Sequence, residues 1–127
     1  MQDHKVLIIE DDKFLRDLIF QKLAKEGFKT LGAVDGEEGL KLASTEVPHL
    51  ILLDLLLPGV DGFEVLKRLK ADKKTSSVPV VVLSNLGQKE DIDRAMKDGA
   101  EDFMVKAHFT PSEIIAKIRS IIQAKYF

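Results

Sequence analysis

Short apolar runs of strand length alternate with stretches of helical period along the whole chain. Lys5–Ile9 (KVLII) is one such run; from Lys13 onward, Phe14, Leu15, Leu18, Ile19 and Leu23 recur at three- and four-residue steps until Gly27 offers a helix stop. A second strand is predicted over residues 28–33. Asp35 can then cap a helix over 36–46, which Pro48 forbids from continuing. Residues 49–53 (HLILL) form the third strand. Turn chemistry at 58–62 (PGVDG) precedes an amphipathic helix carrying Phe63, Val65, Leu66 and Leu69 up to about residue 72. A polar loop follows over 73–77, then a fourth strand over 78–83, a helix over 88–98 closed by Gly99, and a fifth short strand over Asp102–Val105. The last helix has the clearest start: Thr110, Pro111 and Glu113 spell a capping box with proline at the first helical position, and Ile114, Ile115, Ile118, Ile121 and Ile122 form its stripe.

Five β–α units result, and their strands are apolar on both faces. That is the mark of a parallel sheet covered by helices on both sides, so the fold class is α/β, doubly wound, in one domain over residues 1–127. Functional groups in such a sheet gather on loops at the carboxyl edge of the strands.

The chain has 127 residues, and its 19 basic against 21 acidic residues leave a formal charge of −2. This near balance gives no basic surface for nucleic acid or an anionic membrane. With no cysteine, disulfides, thiolate metal sites and thiol nucleophiles are excluded, and oxygen and imidazole are the available ligands. No basic stretch followed by an apolar core opens the chain, and its longest apolar run, 50–57, is interrupted by Asp54. The expectation is a soluble, cytoplasmic protein.

The residues that follow each strand supply the chemistry: Glu10, Asp11 and Asp12 after the first, Asp54 after the third, Ser84 after the fourth and Lys106 after the fifth. Singly, each has an ordinary reading: helix N-terminal charge, a turn residue, a loop hydroxyl, a surface lysine. Asp54 fits such a reading least well, because it ends an apolar run at the centre of the sheet, where an ionised carboxylate is expensive unless paired or metal-bound. If the first and third strands are neighbours, Glu10, Asp11 and Asp54 converge and repel. A hard divalent cation such as Mg²⁺, which favours oxygen ligands, would relieve that repulsion. His108 reads as a solvated loop residue, and His4 and His49, at the opposite ends of their strands, as structural.

The runs VLIIEDD, LLDLLLPGVDG, VVLS and FMVK, in that order at successive strand ends, resemble the receiver domain of two-component response regulators over essentially the whole chain. The resemblance implies a flavodoxin-like sheet in the order 2-1-3-4-5. It also implies that Asp54 accepts a phosphoryl group from a sensor histidine kinase or phosphotransfer protein, in a Mg²⁺-dependent reaction the domain catalyses on itself. Asp11 would bind Mg²⁺ directly, Glu10 mainly through water, and the Leu56 carbonyl would complete the protein ligands; Asp12 would be helix N-terminal charge. Lys106 would pair with the phosphoryl oxygens, Ser84 would hydrogen-bond one of them, and Phe103 would be the aromatic that changes rotamer on phosphorylation. The output would be a surface that binds a downstream effector protein or output domain, with no direct contact to nucleic acid or membrane.

Three positions depart from the family's usual pattern. Lys106 is followed by Ala107, His108 and Phe109 in place of a cis proline, one residue longer, which implies an all-trans route because a cis non-proline bond costs about 2.5 to 4 kcal/mol. Asn85 stands where a small residue is usual, and Phe103 replaces the commoner tyrosine. Leu56 and Leu86, two residues past Asp54 and Ser84, cannot orient a water, which implies slow loss of the phosphoryl group. Two further readings are a phosphorylation-independent pseudo-receiver acting as a protein-binding adaptor and a metal-dependent phosphohydrolase, whose usual second acid would fall on Leu56. Dinucleotide binding is excluded by the absence of glycine between Glu10 and Lys13.

Overall fold

The computed structural model describes residues 3–127. In chain order the elements are β1 (Lys5–Ile9), α1 (Lys13–Lys25), β2 (Lys29–Ala33), α2 (Gly36–Glu46), β3 (Leu50–Leu53), α3 (Gly62–Ala71), β4 (Val80–Ser84), α4 (Lys89–Lys97), β5 (Asp102–Val105), a 3₁₀ turn (Lys106–His108) and α5 (Pro111–Tyr126). The strands form one parallel sheet in the order β2-β1-β3-β4-β5. Both the class and the order match the expectation.

The central strands β1, β3 and β4 bury apolar residues on both faces because their side chains alternate between two separate cores, whereas β2 (KTLGA) at one edge exposes Lys29 and β5 (DFMV) at the other opens on Asp102. Leu7, Ile9, Ile51, Leu53, Val80 and Val82 pack with Ala43 of α2, Val65, Leu66 and Leu69 of α3, and Ala95 of α4. Their neighbours Val6, Ile8, Leu50, Leu52, Val81 and Leu83 pack with Ile19 and Leu23 of α1 and Ile114, Ile118 and Ile122 of α5. Helices α1 and α5 thus cover one face and α2, α3 and α4 the other.

Side-chain caps set the helix starts. Asp12 accepts from the Leu15 N–H, Asp35 from the Glu38 N–H, and Thr110 and Glu113 complete the expected capping box. Asp61 adds a cap that periodicity did not reveal, accepting from Phe63 at 2.7 Å and Glu64 at 3.2 Å. Gly62 beside it lies against the end of β3: a Cβ there would sit 2.3 Å from the Leu55 Cα. The loop from Asp54 to α3 is therefore short and anchored at both ends.

Several boundaries differ from expectation for local reasons. Gly27 turns with φ +88° and the Phe28 N–H donates to the Leu23 carbonyl, so Phe28 closes α1 and β2 starts at Lys29. β3 starts at Leu50, one residue late. β4 starts at Val80, because Pro79 has no N–H for the ladder, and it ends on Ser84, which belongs to the strand. α4 starts at Lys89, with Gln88 as its cap residue. Phe14, expected in the stripe of α1, is 80% exposed. The loop over 73–77 is not wholly a solvated segment either: Thr75 is 2% exposed, and its hydroxyl donates to the Leu69 carbonyl at 2.6 Å.

Candidate functional site

The sheet brings Glu10 and Asp54 together. Ile9 pairs with Leu53, and the Asp54 N–H donates to the Ile9 carbonyl at 3.0 Å, extending the β1–β3 ladder one step past the strands. On the other side, the Glu10 N–H donates to the Ala33 carbonyl at 3.0 Å. Both acids are therefore fixed by main-chain bonds at the carboxyl edge, and both are buried, with 3% and 4% exposure.

Asp11 follows on the exposed turn into α1. One carboxylate oxygen each from Glu10, Asp11 and Asp54 lie within 4.8 Å of one another, and no other group of three metal-ligating side chains this close is found among the described residues. Asp12 faces away, its carboxylate spent on the Leu15 N–H, while its own N–H donates to Glu10 Oε2 at 3.0 Å. The donor set is all carboxylate oxygen, which fits a hard dication such as Mg²⁺ and fits zinc or copper poorly.

Lys106 closes the cluster from the first position of the 3₁₀ turn after β5. Its Nζ lies 2.7 Å from Glu10 Oε1 and 2.8 Å from Asp54 Oδ2, and its side chain keeps only 17% of its exposure. The longer route after this lysine is all-trans, with the extra residue wound into the 3₁₀ turn. The other Asp54 oxygen, Oδ1, accepts from the Leu56 N–H at 3.0 Å. Burial pushes the Glu10 carboxyl above its ordinary 4.5; the bonds from Lys106 and the Asp12 N–H pull against that, and the Asp54 charge adds to it. Burial alone would lower Lys106, but its bonds to Asp54 and Glu10 outweigh this and hold it above 10.5, fully charged at neutral pH.

Ser84 ends β4, next to β3 in the sheet; it is completely buried, and its Oγ accepts from the Leu86 N–H at 3.4 Å. Phe103 lies on β5 opposite Val82, half-buried against the core on the α4 side. Leu56 is 52% exposed, and Leu86 is packed against the same core as Phe103. Asn85 and His108 are exposed. His4 and His49 lie with Tyr126 at the opposite edge of the sheet, where His49 Nδ1 accepts from the Lys5 N–H at 2.9 Å. A cleft of about 270 Å³ between α1 and α5, lined by Lys22, Lys25, Glu26, Ser112, Ile115 and Arg119, contains none of the acidic cluster.

One contact at the site carried no signal in the helical pattern. Arg16 of α1 reaches back so that Nη1 donates to the Glu10 carbonyl at 2.8 Å.

The family model for the response regulator receiver domain matches residues 6–119. The chain is 40% identical over 119 residues to the DNA-binding dual master transcriptional regulator RpaA of Synechocystis, covering 94% of this chain and 49% of that protein. It is 34% identical, also over 119 residues, to the phosphate regulon transcriptional regulatory protein PhoB of Escherichia coli, covering 94% and 52%. The chain thus spans about half the length of these curated relatives. Among solved structures, the receiver domain of a Francisella response regulator superposes with a TM-score of 0.87 at 32% identity, covering 96% of this chain and 98% of that one.

Proposed function

The chain belongs to the response regulator receiver domain family, and on that premise we propose that Asp54 accepts a phosphoryl group from a phosphohistidine on a sensor kinase or phosphotransfer protein. The supporting observation is the setting of Asp54: a carboxylate 4% exposed at the carboxyl edge, hydrogen-bonded to a charged lysine and flanked by two further acids.

A carboxylate oxygen of Asp54 attacks phosphorus. The new O–P bond forms as the P–N bond to the donor imidazole breaks, and the departing imidazole takes up one proton. The transition state is loose, with its charge on the equatorial oxygens, so the protein's part is positioning and charge stabilisation. Lys106 supplies a cation that moves from the Asp54 carboxylate to the incoming phosphoryl oxygens. Ser84 still has its hydroxyl hydrogen to donate to one of them, since its present bond uses only the oxygen as acceptor. Mg²⁺ bound by Asp11, Asp54, the Leu56 carbonyl and, through water, Glu10 would neutralise further oxygen charge. Drawing Ser84 and Lys106 toward the phosphoryl group biases the β4–α4 loop and Phe103 toward a second arrangement, which a downstream effector protein or output domain reads.

Intact mass after incubation with a small acyl phosphate donor tests this reading. Wild type should gain one phosphoryl mass with Mg²⁺ and much less without it, and Asp54→Asn should gain none. Labelling that persists in Asp54→Asn would overturn the assignment, and a wild type that stays unlabelled would favour a phosphorylation-independent adaptor.

A further inference from the structure

The peptide that links Glu10 to Asp11 joins two carboxylates of the acidic cluster, and a side chain from outside the cluster grips it. Arg16, one turn into α1, donates from Nη1 to the Glu10 carbonyl oxygen at 2.8 Å. That carbonyl belongs to the same peptide plane as the Asp11 N–H, so holding its oxygen fixes the plane, and with it the direction in which Asp11 leaves the strand. Glu10 is held at three other points: its N–H on Ala33, Oε2 on the Asp12 N–H and Oε1 on Lys106. None of these acts on the peptide that follows it.

The sequence also makes room for the reach. Gly32, opposite Ile8 in the sheet, lies under Arg16 and Phe20. A Cβ there would stand 2.6 Å from Phe20 Cζ and 3.3 Å from Arg16 Cδ, so a larger residue would force the Phe20 ring aside and crowd the Arg16 side chain. Arginine suits the task because its guanidinium keeps its charge at every relevant pH and presents donors in a rigid fork, whereas lysine offers a flexible point charge.

We propose that Arg16 is a positioning residue for the metal-holding acids: its grip on the Glu10 carbonyl sets the peptide from which the Asp11 carboxylate is aimed at the point that Glu10 and Asp54 also face. This rests on the reading that the cluster holds Mg²⁺. A simple charge effect would have the opposite sign, since removing a cation near three carboxylates strengthens dication binding.

The test is a Mg²⁺ titration followed by backbone amide NMR shifts at residues 10–12 and 54–56, in wild type, Arg16→Lys, Arg16→Met and Gly32→Ala, with urea midpoints measured in parallel. All three variants should bind Mg²⁺ about tenfold more weakly, at the lower end of the range for groups that orient metal ligands. Phosphorylation should slow at limiting Mg²⁺ and recover at saturation. Arg16→Lys decides the matter if Arg16→Met does not fold. A folded Arg16→Lys or Arg16→Met that binds Mg²⁺ within twofold of wild type, or more tightly, overturns the role of Arg16 and leaves the metal reading intact. A wild type whose site amides do not respond to Mg²⁺ overturns the metal reading and this inference with it.

Discussion

Replacing Lys106 with methionine keeps most of the side-chain volume and removes the ammonium that pairs with both the Glu10 and the Asp54 carboxylate. Both acids are 4% exposed at the side chain, and with Asp11 they would leave three carboxylates within 4.8 Å. Removing one partner of a buried ion pair costs about 3 to 5 kcal/mol, because the remaining charge is stranded in a poorly solvated place. With a urea m-value of about 2 kcal/mol per molar, that loss lowers the unfolding midpoint by about 2 M. The pH dependence supplies an independent check. Glu10 is already pushed above 4.5 by burial, and losing the lysine bond that holds it down raises it further. A carboxyl with a raised folded pKa binds its proton more tightly when folded. It therefore detracts from stability above that pKa, and progressively less as pH falls through it toward 4.5. The deficit of Lys106→Met should accordingly shrink by up to about 1.4 kcal/mol per pH unit in that window. Urea titrations of both proteins at pH 7, 6 and 5, followed by far-UV circular dichroism, measure this directly. A variant as stable as wild type at pH 7, or a deficit unchanged on acidification, would refute the reasoning.

Asp11→Ala should weaken Mg²⁺ binding far more than Asp12→Ala, because Asp12 spends its carboxylate on capping α1; equal losses by calorimetry would mean that the wrong acid has been placed in the cluster. Asp12→Ala should instead cost about 1 kcal/mol of stability, the usual loss of a helix cap. Leu56→Asn, at a half-exposed position two residues past Asp54, should shorten the lifetime of the phosphorylated protein by about tenfold, which corresponds to about 1.4 kcal/mol of barrier, by giving an attacking water a polar partner. The decay of intact mass after donor removal measures it, and an unchanged half-life in a folded, Mg²⁺-binding variant would exclude this side chain from control of the lifetime.

Most of the fold and the chemical edge were legible because their signals are local. An Asp inside the apolar run 50–57 and a capping box before a regular isoleucine stripe stand out within a few residues, and the structure buries the first and forms the second. The misplaced details depend on packing between distant segments. Phe14 fits the period of α1, but periodicity does not reveal that this helix buries Ile19 and Leu23 and leaves Phe14 in its first turn exposed. Thr75 lies among lysines and serines and reads as solvated until the Leu69 carbonyl is found above it. Arg16 looks like any polar residue on an amphipathic helix. Its contact with Glu10 passes close over Gly32, on a different element, so no local window could show it.

Because successive residues of β1, β3 and β4 serve different cores, the chain has little freedom to change length inside its sheet. A one-residue slip in the register of β1 would send Leu7 and Ile9 to the face of α1 and α5, and Val6 and Ile8 the other way, scrambling two packed interiors at once. Insertions and deletions are tolerated where the last ladder pair has closed and the next helix has yet to begin. The extra residue after Lys106 is of this kind: it is wound into the 3₁₀ turn, and Thr110 still opens α5 with its capping box intact. Those junctions at the carboxyl edge are also where the acidic cluster and Lys106 sit. The rim around the acidic cluster can therefore lengthen or shorten while both interiors keep their registers.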